Sequence, residues 1–306
     1  MKRVHLPVAL VVIPAAGLGL AACSTEAESG GGEGPLTIYA TTGYLADTAA
    51  HIAPEAEITT MVGPGGDPHT YQPTTPDIQK LRDSDAVLWN GLNLEAQMTD
   101  QLSSLGESQV AVGEELPEEM LLPGEDDYYD PHIWNSSEAW SVVIDVVADH
   151  LREIDPDNAE EYEDNAEAYQ KEFADAAAEA AEHLNDLDAP RVLVTGHDAF
   201  NYFGESFDLE VHATDVISTE ASLSATELSE LADFIAEREV PVIFQDNQAN
   251  PQAVTALKEA IAARGHDVRI SDEELFADTL GPEAPVDTHI GALLHNATVI
   301  SEELNR

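Results

Sequence analysis

Residues 156–187 read PDNAEEYEDNAEAYQKEFADAAAEAAEHLNDL, one unbroken helical pattern in the middle of the chain. Apolar side chains recur along it every three or four positions, which predicts a single buried stripe on an otherwise acidic helix. The stripe comprises Ala159, Tyr162, Ala166, Tyr169, Phe173, Ala177, Ala180 and Leu184. At ~1.5 Å per residue such a helix is a rod about 45 Å long. Because a rod is stiffer than a loop, we expect a rigid helix that joins two lobes.

Both flanks of this helix alternate short β-like runs with helical patterns, which is typical of parallel α/β units. The β-like runs are Leu36–Ala40, Ile58–Val62, Ala86–Asn90, Val110–Val112, Arg191–Thr195, Leu209–His212, Val240–Gln245 and Val268–Ile270. The predicted fold class is therefore α/β, with two Rossmann-like lobes built on parallel sheets. We place the lobes at residues 35–155 and 189–306 and the linking helix at residues 156–188.

The N-terminus has the pattern of a secretory signal. Lys2 and Arg3 precede an apolar stretch, residues 6–20, which Pro14 and several glycines make too short and interrupted for a stable membrane span. The ending Leu-Ala-Ala-Cys23 resembles a bacterial lipobox, although an ordinary cleaved signal with a coincidental cysteine would look the same. We therefore predict a lipoprotein signal peptide at residues 1–22, lipidation of Cys23 and a flexible tether at residues 23–34. These features predict an extracytoplasmic protein, lipid-anchored to the bacterial cell membrane.

The charge composition restricts the classes of partner. The 306-residue chain has 60 Asp and Glu residues against 12 Lys and Arg residues, a formal net charge of −48. Nucleic-acid binding is excluded because it depends mainly on basic side chains. Cys23 is the sole cysteine, so an internal disulfide or a thiolate metal cluster is also excluded. We expect a monomeric protein.

Three histidines follow predicted strands or lie in the loops beyond them: His69, His132 and His197. Parallel α/β sheets place ligands at the carboxyl ends of their strands, and the tripeptide Asp-Pro-His contains two of the three histidines. Three imidazoles suit zinc, with a carboxylate or water completing a tetrahedron. A structural or surface role is the commoner one for any single histidine. Together the three predict an extracytoplasmic metal-binding protein.

Several blocks of the sequence resemble the metal-binding class of ABC-transporter solute-binding proteins, the zinc and manganese lipoproteins of bacteria. The blocks are Asp67-Pro68-His69-Thr70-Tyr71-Gln72-Pro73-Thr74, Asn90-Gly91-Leu92-Asn93-Leu94-Glu95, Asp130-Pro131-His132-Ile133-Trp134, His197-Asp198-Ala199-Phe200-Asn201-Tyr202-Phe203, Leu280-Gly281-Pro282 and Asp287-Thr288 onward to Asn296. This resemblance spans the chain after the signal and implies two α/β lobes joined by a long helix, with the metal site in the interlobe cleft.

The resemblance also implies a ligand set and a function. It places the metal ligands at His69, His132, His197 and Asp287, although Asp287 read alone would be an N-cap of the last helix. The expected function is capture of Zn2+ and its delivery to an ABC transporter membrane permease, with no enzymatic activity. Mn2+ is the alternative cargo within the family, but three imidazoles favour zinc.

Two readings from other classes stay open at this point: a zinc hydrolase and a surface adhesin lipoprotein. The sequence also departs from many zinc members of the family. Residues 113–130 hold eight carboxylates and no histidine, where such members carry a loop rich in histidine. A solvated acidic loop and a metal-gathering loop are both compatible with this composition.

Overall fold

A computed structural model describes residues 34–124, 128–187, 190–219 and 221–306. The predicted signal peptide (1–22), the lipidation site Cys23 and the tether up to residue 33 lie outside the described residues. Residues 35–306 form one body. Within the described ranges, no helix is both long and apolar enough to cross a membrane.

Eight strands and nine helices are found in the described parts of the chain. The strands are β1 (Thr37–Ala40), β2 (Glu57–Thr60), β3 (Ala86–Trp89), β4 (Gln109–Ala111), β5 (Val192–Thr195), β6 (Glu210–Ala213), β7 (Val242–Asp246) and β8 (Arg269–Leu275). The helices are α1 (Gly43–Ile52), α2 (Thr75–Asp83), α3 (Thr99–Ser103), α4 (Ser137–Ile154), α5 (Ala159–Asn185), α6 (Asn201–Phe207), α7 (Ala225–Arg238), α8 (Pro251–Ala262) and α9 (His289–Leu304). Each predicted strand overlaps an observed one.

All strand pairs are parallel, as the alternation of strands and helices predicted. The first lobe contains a sheet of order β2-β1-β3-β4. In the second lobe β5 pairs with β6 and β7 pairs with β8, and β7 also contacts β5. The predicted α/β architecture with two lobes is confirmed. The lobe limits at residues 35–155 and 189–306 stay a prediction.

The long helix α5 joins the lobes. It has 27 residues, about 40 Å at ~1.5 Å per residue, and follows a single 3-10 turn, Pro156–Asn158. It packs against α1 and α4 of the first lobe and against α6 and α9 of the second. Six of the eight residues of the predicted stripe are buried, while Ala159 and Ala177 are half-buried and the neighbouring Ala176 is buried. One apolar core extends from β1 and β3 across α5 to α9 and so connects both lobes.

Strand β8 differs from its prediction. The sequence predicted Val268–Ile270, but the strand continues to Leu275. Its middle residues Asp272, Glu273 and Glu274 are exposed, and among the described residues β8 pairs with β7 alone. A polar strand with one neighbour resembles a loop in sequence. The longer strand moves the carboxyl end of β8 five residues further along the chain.

Candidate metal centre

Three imidazoles and one carboxylate meet in the described structure, from His69, His132, His197 and Asp278. Nε2 of His132 lies 3.3 Å from Nε2 of His69 and 3.1 Å from Nε2 of His197. The Oδ2 atom of Asp278 lies 3.5 Å from Nε2 of His69 and 3.3 Å from Nε2 of His197. Its Oδ1 atom lies 3.4 Å from Nε2 of His132. His69 is 6% exposed, and the other three residues are fully buried.

These separations suit a small cation at the centre of the group. A tetrahedral zinc site has metal–nitrogen distances of about 2.0–2.1 Å, so its ligand atoms lie about 3.3–3.4 Å apart. Both carboxylate oxygens of Asp278 are buried and accept no conventional hydrogen bond from the described residues. A buried carboxylate is costly unless a cation or a hydrogen-bond donor lies beside it. A divalent cation held between this carboxylate and the three Nε2 atoms would balance its charge.

His69 follows β2 in a loop of the first lobe. The Asp67 carboxylate accepts the backbone N–H of His69 through Oδ1 at 2.9 Å, which forms a tight turn. Its Oδ2 atom accepts the hydroxyl of Thr70 at 2.7 Å and the hydroxyl of Thr219, from the second lobe, at 2.9 Å. The position of His69 therefore depends on a half-buried turn that contacts both lobes.

His132 lies in the second Asp-Pro-His segment, just before α4. The Oδ1 atom of Asp130 accepts the backbone N–H of His132 at 3.0 Å and its ring Nδ1–H at 2.7 Å. Asn201 of the second lobe donates to Oδ2 of Asp130 at 3.1 Å, and Asn90 at the end of β3 donates to the Pro131 carbonyl at 2.9 Å. With Nδ1 donating to a carboxylate, Nε2 is the ring nitrogen left to bind a metal, once its own proton is lost.

His197 comes directly after β5. Its backbone N–H and that of Gly196 donate to Oδ2 of Asp246, at 3.0 and 2.9 Å. The hydroxyl of Thr195 donates to the His197 carbonyl at 2.8 Å. Asp278 follows the extended strand β8 by three residues. The carbonyl of the preceding Ala277 accepts two hydrogen bonds from the first lobe, which are described next.

Two aromatic side chains of the first lobe hold the Ala277 carbonyl. Tyr44 donates its hydroxyl at 2.9 Å, and Trp134 donates its indole N–H at 2.8 Å. The Trp134 ring also packs edge-on against the His132 imidazole, with ring centroids 5.2 Å apart. The segments that carry His132 and Asp278 are thus joined across the two lobes by buried contacts.

Residues 38–303 match the protein family described as zinc-uptake complex component A (ZnuA), periplasmic. The chain belongs to this family. The zinc-binding protein TroA of Treponema pallidum is 36% identical, over 90% of this chain and 90% of its own length. Its solved structure matches with a TM-score of 0.84 and covers 89% of this chain and 100% of that one. The resemblance noted from the sequence blocks is confirmed.

Two further relatives are named for manganese and for metal in general. The manganese-binding lipoprotein MntA of Bacillus subtilis is 31% identical, over 93% of this chain and 95% of its own length. The metal ABC transporter substrate-binding lipoprotein ScbA of Streptococcus cristatus is 26% identical, over 97% of this chain and 98% of its own length.

The fourth predicted ligand needs correction. The sequence blocks pointed to Asp287, but that residue is exposed and lies outside the buried group. It precedes Thr288, which caps α9 by accepting the backbone N–H of Gly291. The aspartate that joins the three histidines is Asp278. Asp278 lies just after a parallel strand, as His69 and His197 do. The sequence did not indicate this, because β8 was predicted to end at Ile270 and not at Leu275.

The electrostatics of the metal-free group follow from burial and proximity. Burial favours neutral side chains, and it lowers the pKa of His69 despite the nearby Asp278. Burial acts on His132 too, but the Asp130 and Asp278 carboxylates together outweigh it and raise the pKa to about 10. Burial also acts to lower the pKa of His197, but the Asp278 carboxylate together with Asp246 more than offsets this, so the pKa is raised. The same imidazoles hold the pKa of the buried Asp278 well below its usual range. The group therefore carries both a carboxylate and protons that a metal would replace.

Proposed function

We propose that this protein captures a divalent metal outside the cell membrane and delivers it to an ABC transporter permease. Its ligands are His69, His132, His197 and Asp278. The observation that carries the proposal is the buried group of three Nε2 atoms and one carboxylate that accepts no conventional hydrogen bond, with separations near the edge lengths of a tetrahedral site. The names of the relatives, which include zinc-binding and ABC transporter substrate-binding proteins, support the same function.

Zinc is the preferred cargo in this proposal. Three neutral imidazoles and one carboxylate are the donor types and the donor number of four-coordinate zinc. Manganese prefers more oxygen ligands and binds more weakly than zinc at an equivalent site. Elemental analysis of protein purified without added metal, followed by competition titration at neutral pH, tests the choice. Tighter binding of Mn2+ than of Zn2+ would overturn it.

Manganese is the second candidate, and one observation favours it. The two oxygens of Asp278 face different imidazoles, Oδ1 towards His132 and Oδ2 towards His69 and His197. A carboxylate in this orientation can offer both oxygens to a larger ion. MntA, the manganese-binding relative, matches nearly the whole chain. The variant His197→Glu should narrow the affinity gap between zinc and manganese, since it adds oxygen donors.

A zinc hydrolase is a weaker reading of the same ligands. Catalytic zinc keeps one position open for water or substrate. Here four protein side chains converge on one point and none is more than 6% exposed, which favours binding over catalysis. The zinc-loaded protein should not hydrolyse ester or peptide substrates. An adhesin role is separable by growth of a deletion strain in metal-limited medium, where loss of growth supports transport.

Anchoring through Cys23 belongs to the same proposal, as do the extracytoplasmic location and the monomeric state. A chain with 60 acidic residues is repelled by an anionic membrane surface, so this proposal assigns membrane attachment to the lipid. Cys23→Ser should release the protein from the membrane fraction while metal binding is unchanged. Retention of this variant in the membrane fraction would contradict lipid anchoring.

A further inference from the structure

Strand β7 ends at Asp246, and the three consecutive residues Asp246, Asn247 and Gln248 lie between the loops that carry the metal ligands. None of the three belongs to the group of ligand side chains. Each one hydrogen-bonds a different loop of that group. We call these three residues the β7 turn.

Asp246 holds the loop of His197. Its Oδ2 atom accepts the backbone N–H groups of Gly196 and His197, and its Oδ1 atom accepts the N–H of Gln248 at 3.0 Å. The loop can approach this closely because residue 196 is glycine. A Cβ atom there would lie 2.2 Å from the Cβ atom of Ala249, well inside van der Waals contact. Asp246 is buried, so these hydrogen bonds are shielded from water.

Asn247 holds the backbone on both sides of Asp278. Its Oδ1 atom accepts the N–H of Ala277 at 2.9 Å, and its Nδ2 atom donates to the carbonyl and the hydroxyl of Thr279 at 2.7 and 2.9 Å. The Asp278 carboxylate itself accepts no conventional hydrogen bond from the described residues. Its direction is therefore set by its backbone, and Asn247 brackets that backbone.

Gln248 reaches into the first lobe. Its side-chain Nε2 atom donates to the carbonyl of Gly66, three residues before the ligand His69. Thr279, which Asn247 holds, accepts the backbone N–H of the adjacent Gly65 at 3.2 Å. The loop of His69 is thus tied to the β7 turn directly and through Thr279.

We propose that the β7 turn is a positioning element that sets the distances among three ligands, His69, His197 and Asp278, across the two lobes. The inference rests on the proposed metal-binding function and deepens it. Residues that orient metal ligands typically contribute a factor of about 10–100 to metal affinity. Asn247 is the critical member, because it is the residue of the β7 turn that holds the backbone on both sides of Asp278, whose carboxylate accepts no conventional hydrogen bond from the described residues.

The test compares two asparagines that make matching hydrogen bonds. Asn296 on α9 accepts the N–H of Phe276 and donates to the Phe276 carbonyl, both at 2.9 Å, in the same loop but not next to Asp278. Asn247→Ala and Asn296→Ala are prepared in the full chain without its signal peptide. Zn2+ affinity is measured by competition titration, and the absorption spectrum is recorded with Co2+, whose visible bands are strong in four-coordinate and weak in six-coordinate sites.

Asn247→Ala should lower Zn2+ affinity by about 10–100-fold and weaken the Co2+ bands. Asn296→Ala should lower the melting temperature of the metal-free protein but leave both readouts near wild type. Equal Zn2+ affinities and equal Co2+ spectra for the two variants would overturn the inference. Failure of the wild type to bind Zn2+ or Co2+ would instead refute the proposed function.

A second variant covers the case in which Asn247→Ala does not fold. Asn247→Asp keeps the shape and the acceptor for the N–H of Ala277 but loses the donor to Thr279. It should show an intermediate loss of Zn2+ affinity and intermediate Co2+ bands. Wild-type behaviour of Asn247→Asp in both measurements would exclude the donor to Thr279 as a positioning contact and overturn the proposal for Asn247.

Discussion

The two Asp-Pro-His segments have the same sequence and the same backbone turn, but they hold their histidines differently. In each, the aspartate accepts the N–H of the histidine two residues later, at 2.9 Å for His69 and 3.0 Å for His132. Only Asp130 also accepts the ring N–H of its histidine, at 2.7 Å. Asp67 instead accepts two hydroxyls and is half-buried, whereas Asp130 is fully buried.

This difference assigns the segments different parts in metal binding. The carboxylates of Asp130 and Asp278 outweigh burial and raise the pKa of His132 to about 10, while burial lowers the pKa of His69. In the proposed site, His132 carries a proton at pH 7 until a metal binds. The lowered pKa of His69 favours its neutral form, and His69 is the one member of the proposed ligand set with measurable exposure. A shared motif therefore specifies the turn, and the surroundings specify the electrostatics.

The largest expected effects follow from removing either histidine, and the free energy of unfolding should distinguish His132 from His69. His69→Ala and His132→Ala should each weaken zinc binding by more than about 100-fold, since the loss of an orienting partner alone costs about 10–100-fold. His132→Ala should in addition destabilise the metal-free protein, because removing one partner of a buried ion pair costs about 3–5 kcal/mol. Competition titration and urea unfolding measure the two effects.

His183→Ala, on the exposed side of α5, is the control and should change neither measurement. Equal free energies of unfolding for metal-free His69→Ala and His132→Ala would remove the distinction between the two segments.

The second effect is on zinc affinity and compares the carboxylates of Asp130 and Asp67. Asp130→Asn replaces an acceptor of the His132 ring proton, and zinc affinity should fall by about 10–100-fold. Asp67→Asn should change the affinity by less than about threefold, because an amide oxygen still accepts the His69 N–H and hydroxyls can turn to accept from its NH2 group. Isothermal titration at one pH gives both values. A larger loss in Asp67→Asn than in Asp130→Asn would reverse the comparison.

Much of this site was predictable from sequence, and the missing part has a physical cause. The histidines after β2 and β5 follow the rule that α/β sheets bind ligands at strand carboxyl ends. Asp278 follows the same rule, but it was missed because the second half of β8 contains the exposed polar run Asp272, Glu273 and Glu274. In the sequence this run is indistinguishable from a loop. The apolar periodicity of α5 was readable because a helix between two lobes must bury one stripe.

Contacts between distant loops left no signal in the sequence. The hydrogen bond from Thr219 to Asp67 joins residues 152 positions apart, and that from Gln248 to Gly66 joins residues 182 apart. Neither spacing nor composition relates such residues. They meet because parallel strands of both lobes end at the same cleft. Only the three-dimensional structure shows which residues of the two lobes lie side by side there.

A third expected effect is proton release. At pH 7 the metal-free His132 is below its pKa of about 10 and carries a proton on Nε2, which zinc must displace. At least one proton per zinc should therefore be released, and the affinity should keep rising between pH 7 and 9. Titration calorimetry in two buffers of different ionisation enthalpy measures the number.

The carboxylate variants sharpen this measurement. Asp130→Asn should reduce proton release, since the pKa of His132 falls without the neighbouring charge. Asp67→Asn should leave it unchanged, because the pKa of His69 is already lowered by burial. Unaltered release in Asp130→Asn would show that the displaced proton comes from another group.

The smallest effect is on the stability of the metal-free protein at high pH. The pKa of His132 is about 10 in the folded state and ~6.5 in the unfolded state, so the protonated ring stabilises the fold. This contribution is fully present below pH ~6.5 and is lost as the pH rises through about 10. The melting temperature of metal-free protein should therefore fall between pH 7 and 10. Other groups titrate in this range as well, but they are common to all variants.

The melting temperature of metal-free Asp130→Asn should be lower than that of the wild type at pH 7 and should fall less as the pH rises, while that of Asp67→Asn should follow the wild type. Parallel declines in all three proteins would show that the Asp130–His132 pair does not set the pH dependence.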